Sequence, residues 1–419
     1  MIIKNASLDG ILYDIYINDG KFSEILPAGT ENALDGNIGE IIDASGAIVI
    51  PSFFNTHTHA AMTLLRGYAD DMPLIPWLEN KIWPAEAKLS PEDIYWGTRL
   101  ACCEMIKSGT TFYNDMYWAV EASAEALRDS GMRGALSATF IDLAGNTDEL
   151  IGKLGETYEW SRSFNCPGML FTVAPHAIYT VSERMLRFSA DFARERNLPI
   201  HTHLSETRKE YDDCLKNHGM KPAFYLDKLG LLTEKTVLAH SVWLDSDEIA
   251  LIADRGASVS HNPISNMKLA VGKAFDFAAM KKYGVNVTIG TDGCSSNNNL
   301  SMPESMKFAC LLQKFAYSDP ELMTAEECFK AATENGAKAF GINAGRIEKG
   351  AEADMVIVKK GLPELLPGFS CASDVVYSAG NDFADTVICS GKVIMRGGIP
   401  EGMKEIAENA LRISKKFRS

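Results

Sequence analysis

Between residues 48 and 290 the chain alternates short apolar runs of strand length with longer stretches of helical patterning, eight times over. The runs fall around Ile48–Asn55, Thr110–Asn114, Gly134–Thr139, Leu170–Ala174, Pro199–His203, Thr236–His240, Ser258–His261 and Asn286–Gly290. Such alternation marks parallel strands joined by helical crossovers. Eight strands in about 290 residues predict an α/β fold, a (β/α)8 barrel spanning residues 51–345.

In such barrels chemistry sits at the C-terminal ends of the strands. That is where the polar residues of this chain gather. His57 and His59 follow the first run, His176 the fourth, His203 and Glu206 the fifth, His240 the sixth, His261 the seventh and Asp292 the eighth. Seven of the eight histidines are thereby expected on one face, with His201 one layer deeper and His218 on a solvated helix. Side chains two apart in a strand share a face, so His57 and His59 form half of a divalent-metal site. Zinc is the commonest occupant of a site built from His and Asp. With 8 His in 419 residues, chance supplies roughly 0.15 His-x-His pairs, and this chain has two, His57-Thr-His59 and His201-Thr-His203.

The chain ends read differently. Ile11–Ile17 and Lys21–Ile25 flank Asn18-Asp-Gly20, a hairpin signal, and residues 346 to about 398 repeat the pattern around Ser390-Gly391. Neither end has enough strands to bury a sheet face alone, so residues 1–50 and 346–400 are expected to meet in one small β-sandwich domain. Met403, Ile406, Ala407, Ala410, Ser414 and Phe417 then recur at helical spacing, which predicts a docked helix within residues 401–419.

A net charge of −14 disfavours nucleic acid or an anionic membrane as the main partner and leaves a small molecule. The first residues show no signal-peptide pattern, and no run approaches a membrane span, so a cytoplasmic protein is expected. Nine scattered cysteines without a Cys-x-x-Cys spacing fit reduced thiols, and Cys294, near Asp292, is read as packing. After the first strand, an aromatic insert carrying Trp77, Trp83 and Glu86 is expected to roof the barrel mouth. Met62, Leu64, Leu65, Trp77 and Trp83 are its candidates for an apolar wall. Ser301-Met-Pro-Glu304 is a capping-box pattern that starts a helix and leaves the loop 292–299 free to face the site.

Pro51-Ser-Phe-Phe-Asn-Thr-His-Thr-His59, His201-Thr-His-Leu-Ser-Glu206, His240, Ser260-His-Asn-Pro-Ile-Ser-Asn-Met-Lys268 and Thr291-Asp292-Gly293 together resemble the amidohydrolase superfamily. Within it the chain is most similar to 5′-methylthioadenosine/S-adenosylhomocysteine deaminases, through Asn-Thr-His-Thr-His, His-x-x-Glu and Ser-Asn-Met-Lys-Leu-Ala. The resemblance implies metal ligands at His57, His59, His203 and Asp292. It also implies one divalent metal, most often zinc, because the fourth strand lacks the lysine of binuclear members. The expected reaction is hydrolytic deamination of an adenine nucleoside such as 5′-methylthioadenosine, S-adenosylhomocysteine or 5′-deoxyadenosine. Deamination or hydrolysis of guanine, cytosine, a pterin or a triazine is the alternative. By resemblance Glu206 protonates the ring, Asp292 carries the proton from water to the leaving amine, and His240 hydrogen-bonds the incoming oxygen. Glu86, His176, Trp83 and Glu206 are the expected substrate contacts, in a homo-oligomer. An arginine for a carboxylate tail is implied before the fourth strand, yet residues 141–160 hold only Lys153.

Overall fold

A computed structural model describes residues 1–30, 39–143 and 145–417. The last two residues of the expected C-terminal helix segment lie outside them. Eight parallel strands form one curved sheet in chain order: β1 (Phe53–Thr58), β2 (Thr110–Tyr117), β3 (Arg133–Phe140), β4 (Met169–Pro175), β5 (Ile200–Leu204), β6 (Thr236–His240), β7 (Ser258–His261) and β8 (Asn286–Ile289). Among the described residues no backbone ladder joins β8 to β1, and hydrogen bonds of other kinds close the seam. The Asp292 N–H donates to the His57 carbonyl at 2.9 Å. The Thr291 N–H donates to Asn55 Oδ1 at 3.0 Å, and Thr56 Oγ1 to the Ile289 carbonyl, also at 3.0 Å. The closure thus falls beside two of the expected ligands.

The first sequence run proves to be two strands. Val49–Pro51 pairs antiparallel with Met355–Ile357 in a sheet outside the barrel, and β1 begins at Phe53. Pro51-Ser52 sits at that break, and the apolar residues on both sides let the run read as one strand. The outer strands form a four-stranded sheet within Ile2–Asp43 and a five-stranded antiparallel sheet that joins Val49–Pro51 to strands between Met355 and Pro400. The two sheets share a core that includes Ile3, Ile15, Phe22, Met355 and Ile388. Asp19 and Gly20 both take positive φ (48° and 77°), as the expected two-residue hairpin turn requires. Strand Ile2–Leu8, which the sequence reading passed over, enters its own hairpin through Asp9 and Gly10 in the same way (47° and 82°).

The insert after β1 contains a helical stretch from Leu74 to Glu86, with a π turn at Leu78–Ile82. An extra residue in a helical turn shifts the phase of everything after it. Here Leu74 and Trp77 before the turn, Leu78 at its first residue, and Trp83 and Glu86 after it all line the same cavity. The expected terminal helix, Met403–Ser414, buries Ile413 in the cluster that holds Trp77, Leu78 and Ile82. It therefore buttresses the roof of the barrel from behind. No helix among the described residues is long and apolar enough to cross a membrane.

Candidate active site

At the C-terminal ends of the strands, the imidazoles of His57, His59 and His203 present ring nitrogens within 4.8 Å of one another, and those of His57 and His240 do so with a carboxylate oxygen of Asp292. Asp292 Oδ1 lies 3.3 Å from both His57 Nε2 and His59 Nε2. Each ring is fixed through its other nitrogen. His59 Nδ1 donates to the Met116 carbonyl at 2.7 Å and His203 Nδ1 to the His176 carbonyl at 2.8 Å. His57 Nδ1 meets His201 Nε2 at 2.8 Å, and His240 Nδ1 meets Asn266 Oδ1 at 2.7 Å. Binding Nδ1 to a neighbour leaves Nε2 bare and aimed inward, the arrangement that orients imidazoles around a metal. His57 Nε2 is buried with no hydrogen-bond partner among the described residues, so the cluster as it stands leaves a polar atom without a partner.

Asp292 is held by donors on both oxygens. Oδ1 accepts from the Gly293 N–H at 2.8 Å, and Oδ2 accepts from Ser265 Oγ at 2.6 Å and Ser296 Oγ at 3.0 Å. Burial alone would raise its carboxyl pKa, but the imidazoles around it, His57 foremost and then His59 and His240, hold it well below the usual range. Burial pushes His57 down to about 4 and His203 well below an ordinary imidazole, so both rings are neutral donors at pH 7. His240 goes the other way. Burial disfavours its charge, yet Glu206 at 3.8 Å and Asp292 at 3.9 Å outweigh that and raise it.

Backbone strain marks the same strand ends. Ser205 (φ 49°), His240 (69°), Ser241 (52°) and Asp292 (63°) all sit in the left-handed region without being glycine. Each such residue costs on the order of 1 kcal/mol and persists only where its surroundings impose it.

The cluster opens into a cavity of about 300 Å³ lined by His59, His176, His203, Glu206, His240 and Asp292 at the metal end. Glu86, Trp83, Trp77 and Met62 from the insert also line it, as do Tyr117, Tyr179, Phe140, Ile141 and Leu150. Lys153 contributes a cation. Burial raises the Glu206 carboxyl, helped by Asp292 and opposed by His240. Burial also raises Glu86, against the hydrogen bond that Tyr117 Oη donates to it at 2.8 Å.

His59, His203, Asp292, Glu206, His240, His176, Glu86 and Trp83 therefore line one cavity, with His57 buried beside Asp292 at its floor, and two expectations are corrected. His261 is at the end of β7, but its ring stacks on Phe275 with centroids 4.4 Å apart, away from the cavity, since the alternation of a strand gives the interior to Ser260 instead. Leu64 and Leu65 are buried and are not among the residues that line the wall. Two buried carboxylates escaped the sequence reading. Asp115 accepts the Ala60 N–H at 2.7 Å, directly after His59, and Glu210 accepts from the loop that carries Glu206. Neither lies in a ligand-like spacing, so no local signal distinguished them from surface acids.

Residues 48–394 match the model of the amidohydrolase family. The chain belongs to the amidohydrolase family. Among curated amidohydrolase relatives, the chain is 48% identical to 5-methylthioadenosine/S-adenosylhomocysteine deaminase 1 of Archaeoglobus fulgidus, over 100% of this chain and 99% of the relative. It is 43% identical to the 5′-deoxyadenosine deaminase of Methanocaldococcus jannaschii, over 95% and 94%. A solved adenosine deaminase from Xanthomonas campestris with bound zinc superimposes with a TM-score of 0.90 at 32% identity, covering 100% of this chain and 98% of that one.

Proposed function

We propose that this amidohydrolase is a zinc-dependent hydrolytic deaminase of adenine nucleosides. Its substrates are 5′-methylthioadenosine, S-adenosylhomocysteine or 5′-deoxyadenosine, and its products the inosine analogue and ammonia. The observation that carries the reading is the set of inward-facing Nε2 atoms on His57, His59 and His203 beside Asp292, opening on a cavity that also holds Glu206. Three imidazoles and a carboxylate are a zinc donor set. The relatives' named activities and the zinc of the solved neighbour support the same conclusion.

A bound zinc ion supplies Lewis acidity, lowering the pKa of water toward 7. The chain's own groups manage the remaining protons. Glu206, whose raised pKa keeps a proton available, donates it to N1 of the purine and so makes C6 electrophilic. Asp292 takes one proton of the attacking water and passes it to the departing amine, which leaves as ammonia. The other proton of that water returns Glu206 to its acid form as the C6 carbonyl develops. His240 hydrogen-bonds the incoming oxygen, its raised pKa favouring the doubly protonated ring that can donate from Nε2 while Nδ1 stays on Asn266. Glu86 accepts from ribose hydroxyls, His176 meets the nucleoside, and Trp83 supplies an apolar wall.

We infer too that the chain works in the cytoplasm, which nine unpaired cysteines support, and as a homo-oligomer, for which exposed Phe315 and Leu311 offer surface. The shared core of the two outer sheets supports one small β domain of residues 1–50 and 346–400. It would stand beside a barrel of residues 51–345 and a terminal helical segment of 401–419. An ammonia-release screen over adenine nucleosides, guanine, cytosine, a pterin and a triazine tests the reading of substrate. Adenine nucleosides should dominate, and turnover confined to a free base would overturn it.

A further inference from the structure

Among the described residues, five helices begin with a cap side chain that accepts the N–H of a carboxylate residue three positions later. In three of them, at Ser90 with Asp93, Asp245 with Glu248 and Thr324 with Glu327, the carboxylate reaches back to the cap's own N–H and closes a capping box. In a fourth, at Ser301, the Glu304 carboxylate accepts the side-chain amides of Asn299 and Asn381 instead, and the fifth, Thr207 with Glu210 on helix Arg208–His218, also keeps only half of that device. Thr207 Oγ1 still accepts the Glu210 N–H at 3.2 Å. The Glu210 carboxylate is diverted past the cap, with Oε1 accepting the Ser205 N–H at 2.7 Å and Oε2 the Glu206 N–H at 2.9 Å.

We propose that Glu210 is a positioning residue for the deamination: by holding both N–H groups of the Ser205–Glu206 turn, it fixes the proton donor Glu206 toward the substrate ring. The proposal rests on Glu206 being that donor. Ser205 has a φ of 49°, a conformation that needs an external hold, and Glu210 supplies two hydrogen bonds to it from a position only 3% exposed. The same turn anchors the next strand end. The Ser205 carbonyl accepts the N–H groups of Val242 at 3.1 Å and Trp243 at 2.8 Å, just after the left-handed pair His240 and Ser241. One carboxylate therefore braces the loops that bear both Glu206 and His240. Its chemistry is specific, because two converging N–H donors require two acceptors. Glutamine offers one acceptor and turns an N–H against the other donor.

The test uses the full-length, metal-loaded protein. In Glu210→Gln, kcat for 5′-methylthioadenosine should fall about 10- to 100-fold with KM within about threefold and one metal per chain retained. Glu210→Asp, which keeps both acceptors on a shorter arm, should recover part of that loss. In a Glu206→Gln background, adding Glu210→Gln should cost less than about threefold, because the brace then has no acid to aim. Glu210→Gln within threefold of wild type overturns the proposal, as does loss of metal, a fully multiplicative double variant, or insolubility of both Glu210 variants. The fate of the underlying reading is separable. Glu206→Gln retaining more than a tenth of the rate removes the acid itself, whereas a slow Glu206→Gln beside a multiplicative double variant removes only the brace.

Discussion

Replacing His201 by Leu should loosen the metal without unfolding the protein. His57 is fully buried, and the only hydrogen bond of its Nδ1 goes to His201 Nε2 at 2.8 Å. Without that neighbour, a buried ring N–H loses its partner, at a cost of about 1–3 kcal/mol. The ring is also freed to turn or to change tautomer, both of which misdirect Nε2. The corresponding loss of metal affinity is about 10- to 100-fold, the usual worth of a group that orients a metal-binding imidazole. Stability should move much less, because His201 Nδ1 is itself buried without a partner and leaves with the substitution. Leucine fills a similar volume. Competition with a chelator of known affinity measures the first quantity, and urea unfolding of the stripped protein measures the second. An affinity within threefold of wild type would show that His57 needs no support from beneath.

Glu206→Gln should keep its metal and bind nucleoside while turnover falls by about 10² to 10⁴, the range of a positioned acid–base group, as read by ammonia release. Lys153→Met should lower kcat/KM for S-adenosylhomocysteine about two- to tenfold and leave 5′-methylthioadenosine unchanged, since Lys153 is the cation that lines the cavity and is itself exposed. Against the wall of Met62, Trp77 and Trp83, 5′-methylthioadenosine should exceed adenosine in kcat/KM by about 10- to 100-fold, from about 1–3 kcal/mol of apolar burial. His261→Phe should leave activity intact and relieve acid instability. Burial holds that ring's pKa to about 3, below the unfolded value of 6.5, so its contribution to stability is present above 6.5 and lost as pH falls toward 3. The variant should gain about 2 kcal/mol over wild type at pH 5 relative to pH 8 in urea unfolding, and equal effects at both values would refute the assignment.

The proposed ligands and the proposed acid could be picked out because they lie in short motifs at strand ends, where period and chemistry coincide. His57-Thr-His59 declares both a strand face and a metal half-site, and Glu206 follows His203 closely enough to share its loop. Groups that act through the backbone left no such trace. Asp115 and Glu210 read as ordinary acids until the fold brings the Ala60, Ser205 and Glu206 N–H groups to them. His261 misled because its place at a strand end is real, while its side of the strand depends on a register that the sequence leaves open. The break at Ser52 did carry a signal, Pro51-Ser52, that the apolar residues on both sides masked. Pairing of Val49–Pro51 with Met355–Ile357 is what assigns the two halves to different sheets.

Titrating zinc into chelator-stripped protein while following ammonia from 5′-methylthioadenosine joins the metal cluster to the chemistry in a single curve. The rate should rise linearly from near zero and level at one equivalent per chain, with one ammonia formed for each adenine ring converted, and His57→Ala should stay near zero throughout. Full activity in the stripped protein, a plateau at two equivalents, or zinc binding with no ammonia from any adenine nucleoside would contradict it.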